Sequence, residues 1–219
     1  MFRSQPVKLH DCQMHGSGSG AELFVVEGDS ASLSVARARD ASFQAVLPMQ
    51  GKPLNTIKAS KRSMLGNEWF AAFIDSLGSE FGEYFHLESV RYDRIVLLFD
   101  PDADGIHCGA LMMMFLYRWM RPLLDSGRVG VVRAPMFEIT AKRYTDSILA
   151  YSEEHYRKLR EELDRQSIEG VKANRFRGLA SLNEETLVKT CIDPNTRAFT
   201  AIDSSDAETA IRIFSGNAS

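Results

Sequence analysis

At 219 residues, with 44% hydrophobic and 25% charged side chains, the chain is long enough for one sizeable α/β core plus an appendage, and its composition excludes a largely disordered protein. A formal charge of −3 excludes a globally basic nucleic-acid binder, so any contact with DNA must use local patches while acidic clusters are masked by metal. Three widely spaced cysteines, Cys12, Cys108 and Cys191, fit a reducing cytoplasm better than a disulfide scaffold. No Cys-x-x-Cys pair marks a zinc site, and Cys12 with His15 is half a site at most. The longest apolar stretch, Ala110 to Leu116, is too short to span a bilayer, so a soluble cytoplasmic protein with no membrane association is expected.

Residues 1–20 are polar and end in Gly16-Ser-Gly-Ser-Gly20, a flexible lead-in by composition. The apolar run Leu23-Phe-Val-Val26 reads as a buried parallel strand, and Ser30 can cap a helix reaching Arg39 after a tight turn at Gly28-Asp29. Phe43 to Leu47 forms a second strand closed by Pro48, followed by a loop through Lys52 and Pro53 and a local basic cluster at Lys58, Lys61 and Arg62. Between Asn67 and Leu77, Trp69, Phe70, Phe73, Ile74 and Leu77 recur at helical spacing and predict a core face. Ile95-Val-Leu-Leu-Phe99 is a further buried strand, and a long helix is predicted over 106–124, burying Leu111, Met114, Phe115, Trp119 and Leu123, with Met112 to Met114 as core filler. Strands follow at 129–133 and 137–140, and then a strongly charged helix at 153–166 with little apolar face. The β-helix-β-helix order of residues 22–134 argues for a doubly wound parallel sheet. The expected organisation is a lead-in at 1–20, an α/β domain at 21–142 and a mainly helical tail at 143–219.

Each of the first and third apolar strands ends in carboxylates, Glu27 in one case and Asp100-Pro-Asp-Ala-Asp-Gly105 in the other. The C-terminal ends of strands are where open α/β sheets bind ligands. Four carboxylates converging there would repel one another unless a hard divalent cation, Mg²⁺ being the expected one, sat between them. In an extended segment residues two apart project to one side, so Asp100, Asp102 and Asp104 could face one metal position. An EF-hand is excluded because the bidentate Glu that would close such a loop is absent. Taken alone, the acidic loop also reads as a solvated turn or helix cap. Glu27 likewise reads either as a carboxylate at a helix terminus or as a metal ligand or general acid/base in phosphoryl transfer. Pairing the two acidic strand ends favours the metal.

These residues form part of a wider ordered pattern with Leu9-His-Asp-Cys-Gln13, Leu47 to Asn55, Arg175-Phe-Arg-Gly-Leu179 and Ile192-Asp-Pro194, and on these the chain resembles the TOPRIM region of the B subunit of type IIA DNA topoisomerases, DNA gyrase and topoisomerase IV. Leu9-His-Asp-Cys-Gln13 is similar to the family's Leu-Ala-Asp-Cys lead-in, and Glu27-Gly-Asp-Ser-Ala31 matches its Glu-Gly-Asp-Ser-Ala motif. Leu47 to Asn55 resembles Leu-Pro-x-x-Gly-Lys-x-Leu-Asn, and Asp100 to His107 resembles Asp-x-Asp-x-Asp-Gly-x-His. In the tail, Arg175-Phe-Arg-Gly-Leu179 and Ile192-Asp-Pro194 resemble Arg-Phe-Lys-Gly-Leu-Gly-Glu-Met and Met-Asp-Pro. The resemblance implies a small Rossmann-like sheet that presents Mg²⁺ beside a DNA phosphate attacked by a tyrosine of an A-type subunit. It implies Glu27, Asp100 and Asp102 as metal ligands, Glu27 and the assisting Asp104 as catalytic carboxylates, and Lys52 and Asn55 as DNA contacts. His107 also reads simply as a residue of a helix first turn.

The chain departs from the family at several points. Ser30-Ala-Ser-Leu-Ser34 replaces Ser-Ala-Gly-Gly-Ser, Gln50 replaces a basic residue, and Leu179-Ala-Ser-Leu182 replaces Leu-Gly-Glu-Met, removing a carboxylate and a glycine. No Walker-type or GHKL-type nucleotide motif occurs, so coupling of ATP to strand passage is expected to require a separate ATPase domain. Besides the topoisomerase reading, two alternatives stand: a non-catalytic relative that binds and modulates gyrase A or DNA, and a TOPRIM nuclease acting alone.

Overall fold

The computed structural model describes residues 8–51 and 53–214. Strand β1 (Glu22–Glu27) is flanked by β2 (Gln44–Met49) and β3 (Arg94–Leu98), both parallel to it. Next to β3 runs β4 (Val129–Val132), also parallel, and the sheet order is β2-β1-β3-β4-β8, with β8 (Phe199–Ala201) antiparallel at the far edge. This mainly parallel sheet flanked by helices is the Rossmann-like α/β class expected from the strand order. A second, antiparallel sheet of order β6-β5-β7 is built from β5 (Phe137–Thr140), β6 (Ile148–Ala150) and β7 (Lys172–Arg175).

Because side chains alternate across a strand, each central strand feeds two cores. Leu23, Val25, Ala45, Leu47, Ile95 and Leu97 share a core with Met64 of the short helix α2 (Lys61–Leu65) and with helices α3 (Glu68–Leu77) and α4 (Ala103–Trp119), where Phe70, Phe73 and Phe115 meet. Phe70 stacks on Phe115 at 4.4 Å between centroids and Phe73 meets it edge-on at 5.9 Å. The other face, Phe24, Val26, Val46, Val96 and Leu98, packs on α1 (Gly28–Ala38). It also packs on Leu179, Leu182, Leu187, Cys191 and Ile192 of the tail. The tail therefore shares with α1 the cover of this face. Besides its helices α6 (Glu153–Arg165), α7 (Glu184–Leu187) and α8 (Ser204–Phe214), it contributes three strands.

All five apolar residues predicted for the core face of α3 are buried, and the helix is closed by an Asn67 cap and by Gly78 in the left-handed region at φ 66°. The single helix expected over 106–124 is two: α4 stops at Trp119, and α5 (Arg121–Asp125) starts anew past Met120. Pro122 has no N–H to continue the ladder, which explains the break. Pro48 lies inside β2 rather than closing it, tolerated because β2 is an outer strand of the sheet. Residues 16–20 take a defined path, the Gly18 and Gly20 amides donating to the Asp93 carboxylate at 2.9 and 2.6 Å.

Candidate metal and DNA site

Glu27 is the last residue of β1, and the register that pairs Val26 with Leu98 sets it beside the exit of β3, from which Asp100 emerges two residues on. Helix α1 begins directly at Gly28, whose φ of 76° requires the glycine. Glu27 thus occupies the cap position, yet its side chain makes no capping hydrogen bond to α1, and its Oε2 is buried.

Asp100 is half-buried, and burial pushes its carboxyl above the usual range, opposed by the Leu179 amide and assisted by the charge of Asp102. Its position is set by two glycines. Any Cβ on Gly105 would collide with the Asp100 carbonyl oxygen, so this buried glycine in α4 is needed for close approach. The second is Gly178 of the tail, against which the Asp100 carboxylate rests. Leu179 N donates to Asp100 Oδ1 at 2.9 Å.

The extended segment ends at Asp102, which is the cap of α4 and accepts from Gly105 N at 2.9 Å. Asp104 sits exposed in the first turn of α4, where a carboxylate also favours the helix dipole. Asp104, being helical, falls outside the every-second-residue alternation. His107 stacks on Phe214 of α8 at 5.5 Å. Asn55 is half-buried, and its Oδ1 accepts from Ile57 N at 3.1 Å in a local turn. Arg118 of α4 donates to the Thr56 and Ile57 carbonyls and so ties this loop to the helix that starts at the acidic site. Lys52 lies outside the described residues. Of the basic cluster, Lys58, Lys61 and Arg62 are exposed, with Lys61 Nζ 5.0 Å above the Phe81 ring. Gln50, where the family has a basic residue, donates to the Asp29 carboxylate at 2.9 Å, a group also paired with Lys8 at 3.2 Å.

Among the described residues, one trio of potential ligands brings its donor atoms within 4.8 Å of one another, and it is Asp11, Cys12 and His15, not the acidic strand ends. A cation is already there: an Arg91 nitrogen lies 2.6 Å from both Asp11 Oδ2 and His15 Nε2. Burial and the Asp11 charge push the Cys12 thiol up to about 11, away from the thiolate that metal binding needs. Sequence reasoning did not assign the ion-pair role of Arg91, nor the pairing of Glu22 with Arg197 at the same end of the sheet. Glu27, Asp100 and Asp102 offer only carboxylate oxygens, the donors that hard divalent cations take, and the raised pKa of Asp100 reflects burial and a crowding of negative charge that such a cation relieves. Among such cations Mg²⁺ characteristically keeps several waters and bonds directly to only one or two carboxylates.

The fold and the acidic strand ends define a class, and comparison with known families agrees: residues 22–134 match the Toprim domain, and the chain belongs to that family. It is 39% identical over 209 residues to the DNA gyrase B subunit of Thermotoga maritima, covering 95% of this chain and 32% of that protein. It is 36% identical to the DNA gyrase B subunit of Archaeoglobus fulgidus, covering 98% of this chain and 33% of the relative. Identity is also 36% to the DNA topoisomerase 4 B subunit of Enterococcus faecalis, over 87% of this chain and 28% of the relative. The chain thus spans about a third of the length of the curated relatives it matches, and the resemblance to B subunits read from its motifs is borne out. Among the described residues, no helix is long and apolar enough to cross a membrane.

Proposed function

We propose that Glu27, Asp100 and Asp102 hold Mg²⁺ and that the chain supports reversible DNA cleavage and religation with a gyrase A or topoisomerase IV A-like subunit, as a component of a DNA topoisomerase. The observation that carries this reading is that Glu27 and Asp100 lie at the exits of adjacent parallel strands, with Asp100 held by the tail. Bound there, Mg²⁺ would supply charge stabilisation to the phosphate oxygens. The partner's tyrosine gives up its phenolic proton to solvent as its oxygen forms a bond to phosphorus, the bond to the leaving sugar oxygen breaks, and that oxygen gains a proton. Glu27, with Asp104 assisting, is the group that gives this proton in cleavage and takes it back in religation. Lys52 and Asn55 hold the backbone phosphates, and a separate ATPase domain supplies the coupling to strand passage. Buried thiols at Cys12, Cys108 and Cys191 support a cytoplasmic setting.

The test is to mix the protein with an A-type subunit, supercoiled DNA and Mg²⁺ and look for covalent cleavage complexes. Complexes that form with the wild type and disappear with Asp102→Ala are expected. Failure of the wild type to form them would favour a non-catalytic modulator of gyrase A, to which the replacement of Leu-Gly-Glu-Met by Leu179-Ala-Ser-Leu182 already lends support. Metal-dependent nicking without any partner would instead favour a nuclease.

A further inference from the structure

The tail reaches a proposed metal ligand directly at Asp100, where Leu179 N–H donates to Oδ1 at 2.9 Å. On the other side of the carboxylate, Gly178 has φ +107°, and a Cβ there would lie 2.5 Å from Oδ2 and 2.9 Å from Cγ. The position therefore excludes any side chain twice, by backbone conformation and by the space that the carboxylate fills. The loop is braced from within by Ser181: its hydroxyl donates to the Gly178 carbonyl at 2.7 Å and accepts from Arg177 N at 2.9 Å. It is anchored from below by Leu179, which is 1% exposed among Phe24, Val26 and Leu98. Ser181 falls within the segment where the family's Gly-Glu is missing, so this chain closes the loop with a hydroxyl.

We infer that Gly178 and Leu179 are positioning residues of the metal site: they aim the Asp100 carboxylate, so that cation binding and docking of the tail loop at 176–182 stabilise each other. This rests on the reading of Asp100 as a ligand. An amide bonded to one carboxylate oxygen leaves the other for the cation and fixes its direction, and loss of such an outer partner commonly costs about 10- to 100-fold in metal affinity. Linkage makes the effect reciprocal, so the cation must tighten the loop by the factor that the loop tightens the cation.

The experiment is a titration of the full 219-residue chain with Mn²⁺, read by electron paramagnetic resonance, for the wild type, Gly178→Ala, Asp100→Asn and the double variant. Gly178→Ala is expected to weaken binding by about tenfold or more. The double variant is expected to bind no more weakly than Asp100→Asn, because the glycine acts through that carboxylate. Wild-type affinity in Gly178→Ala, or additive losses in the double variant, would overturn the inference and leave the metal assignment intact. Wild-type affinity in Asp100→Asn would sink the metal assignment itself, and the inference with it. Should Gly178→Ala fail to fold, hydrogen exchange on the wild type decides. Mg²⁺ is expected to slow exchange of the Leu179 amide, and an amide indifferent to Mg²⁺ in a protein that binds the ion would overturn the linkage.

Discussion

Glu22 and Glu27 open and close the same strand, and the sheet treats them in opposite ways. Glu22 is 3% exposed and starts a row of polar residues in register, Gln44, Glu22 and Arg94, across three strands. Arg197, from the tail, approaches both of its oxygens, with Nη1 2.8 Å from Oε2 and Nη2 on Oε1. Gln44 donates at 3.0 Å and Arg94 at 3.3 Å. At the same rim, Asp11 meets Arg91 and Tyr92, and Asp93 takes two backbone amides. At the opposite rim the carboxylates accumulate instead: Glu27, Asp100, Asp102 and Asp104 arrive from two adjacent strand ends, and Asp100 is held by an amide rather than a cation. A buried carboxylate is tolerated only with its charge matched. One rim is matched by arginine within the chain; at the other, the proposed cation would add its charge to the carboxylates gathered there.

The sharpest way to break this contrast is to neutralise each glutamate in turn. Glu27→Gln is expected to lower formation of cleavage complexes by about 10²- to 10⁴-fold, the usual range for loss of a positioned acid/base group, with little change in unfolding temperature. Glu22→Gln is expected to do the reverse, sparing cleavage while lowering stability. Both are read by quantifying protein-linked DNA alongside thermal unfolding. If Glu27→Gln cleaves as the wild type does, the acidic rim is not the chemical one.

Arg197→Ala comes next in size. It removes one partner of a buried pair and strands Glu22, an outcome expected to cost about 3–5 kcal/mol, measured as a shift in urea midpoint at constant slope. A loss under about 1 kcal/mol would mean that Arg94 and Gln44 suffice. The combined Glu22→Leu, Arg197→Met chain sharpens the point, because removing both charges also removes their desolvation cost. It is expected to be more stable than Arg197→Ala alone, and if it is not, the pair does more than cancel a buried charge.

Of the two rims, the acidic one is legible in the sequence because its signals are local. An apolar run ending in Glu27 and another ending in Asp100-Pro-Asp are each contained in a few residues, and alternation and helical spacing locate the strands and α3. The matched rim is not legible. Glu22 and Arg197 are 175 residues apart, and nothing near Arg197 announces a buried partner. Asp100 and Leu179 are 79 apart, so Gly178 can be matched to a motif without its use being evident. Asp104 escapes the alternation because the helix starts at Ala103, one residue before it, which no spacing of carboxylates can signal. The break at Met120 has a local cause in Pro122, but the apolar periodicity continues across it and hides the boundary.

The smallest expected effect probes the matched rim through pH. Burial alone would raise the Asp11 carboxyl, but hydrogen bonds from Arg91, His15 and Tyr92 together outweigh it and bring it down to about 2. Its ordinary value in an unfolded chain is about 3.9. A depressed carboxylate contributes stability that is fully present above its unfolded pKa and is lost as pH falls through the folded one. The window is therefore roughly pH 4 down to pH 2. Because Asp11 is only half-buried, solvent screening reduces the contribution to about 1 kcal/mol. Asp11→Asn is expected to be less stable than the wild type by that amount at neutral pH, with the two unfolding curves converging as pH approaches 2. Curves that stay parallel down to that pH would show that Asp11 acts through its shape and hydrogen bonds rather than its charge, and the matched rim would then rest on Glu22 and Arg197 alone.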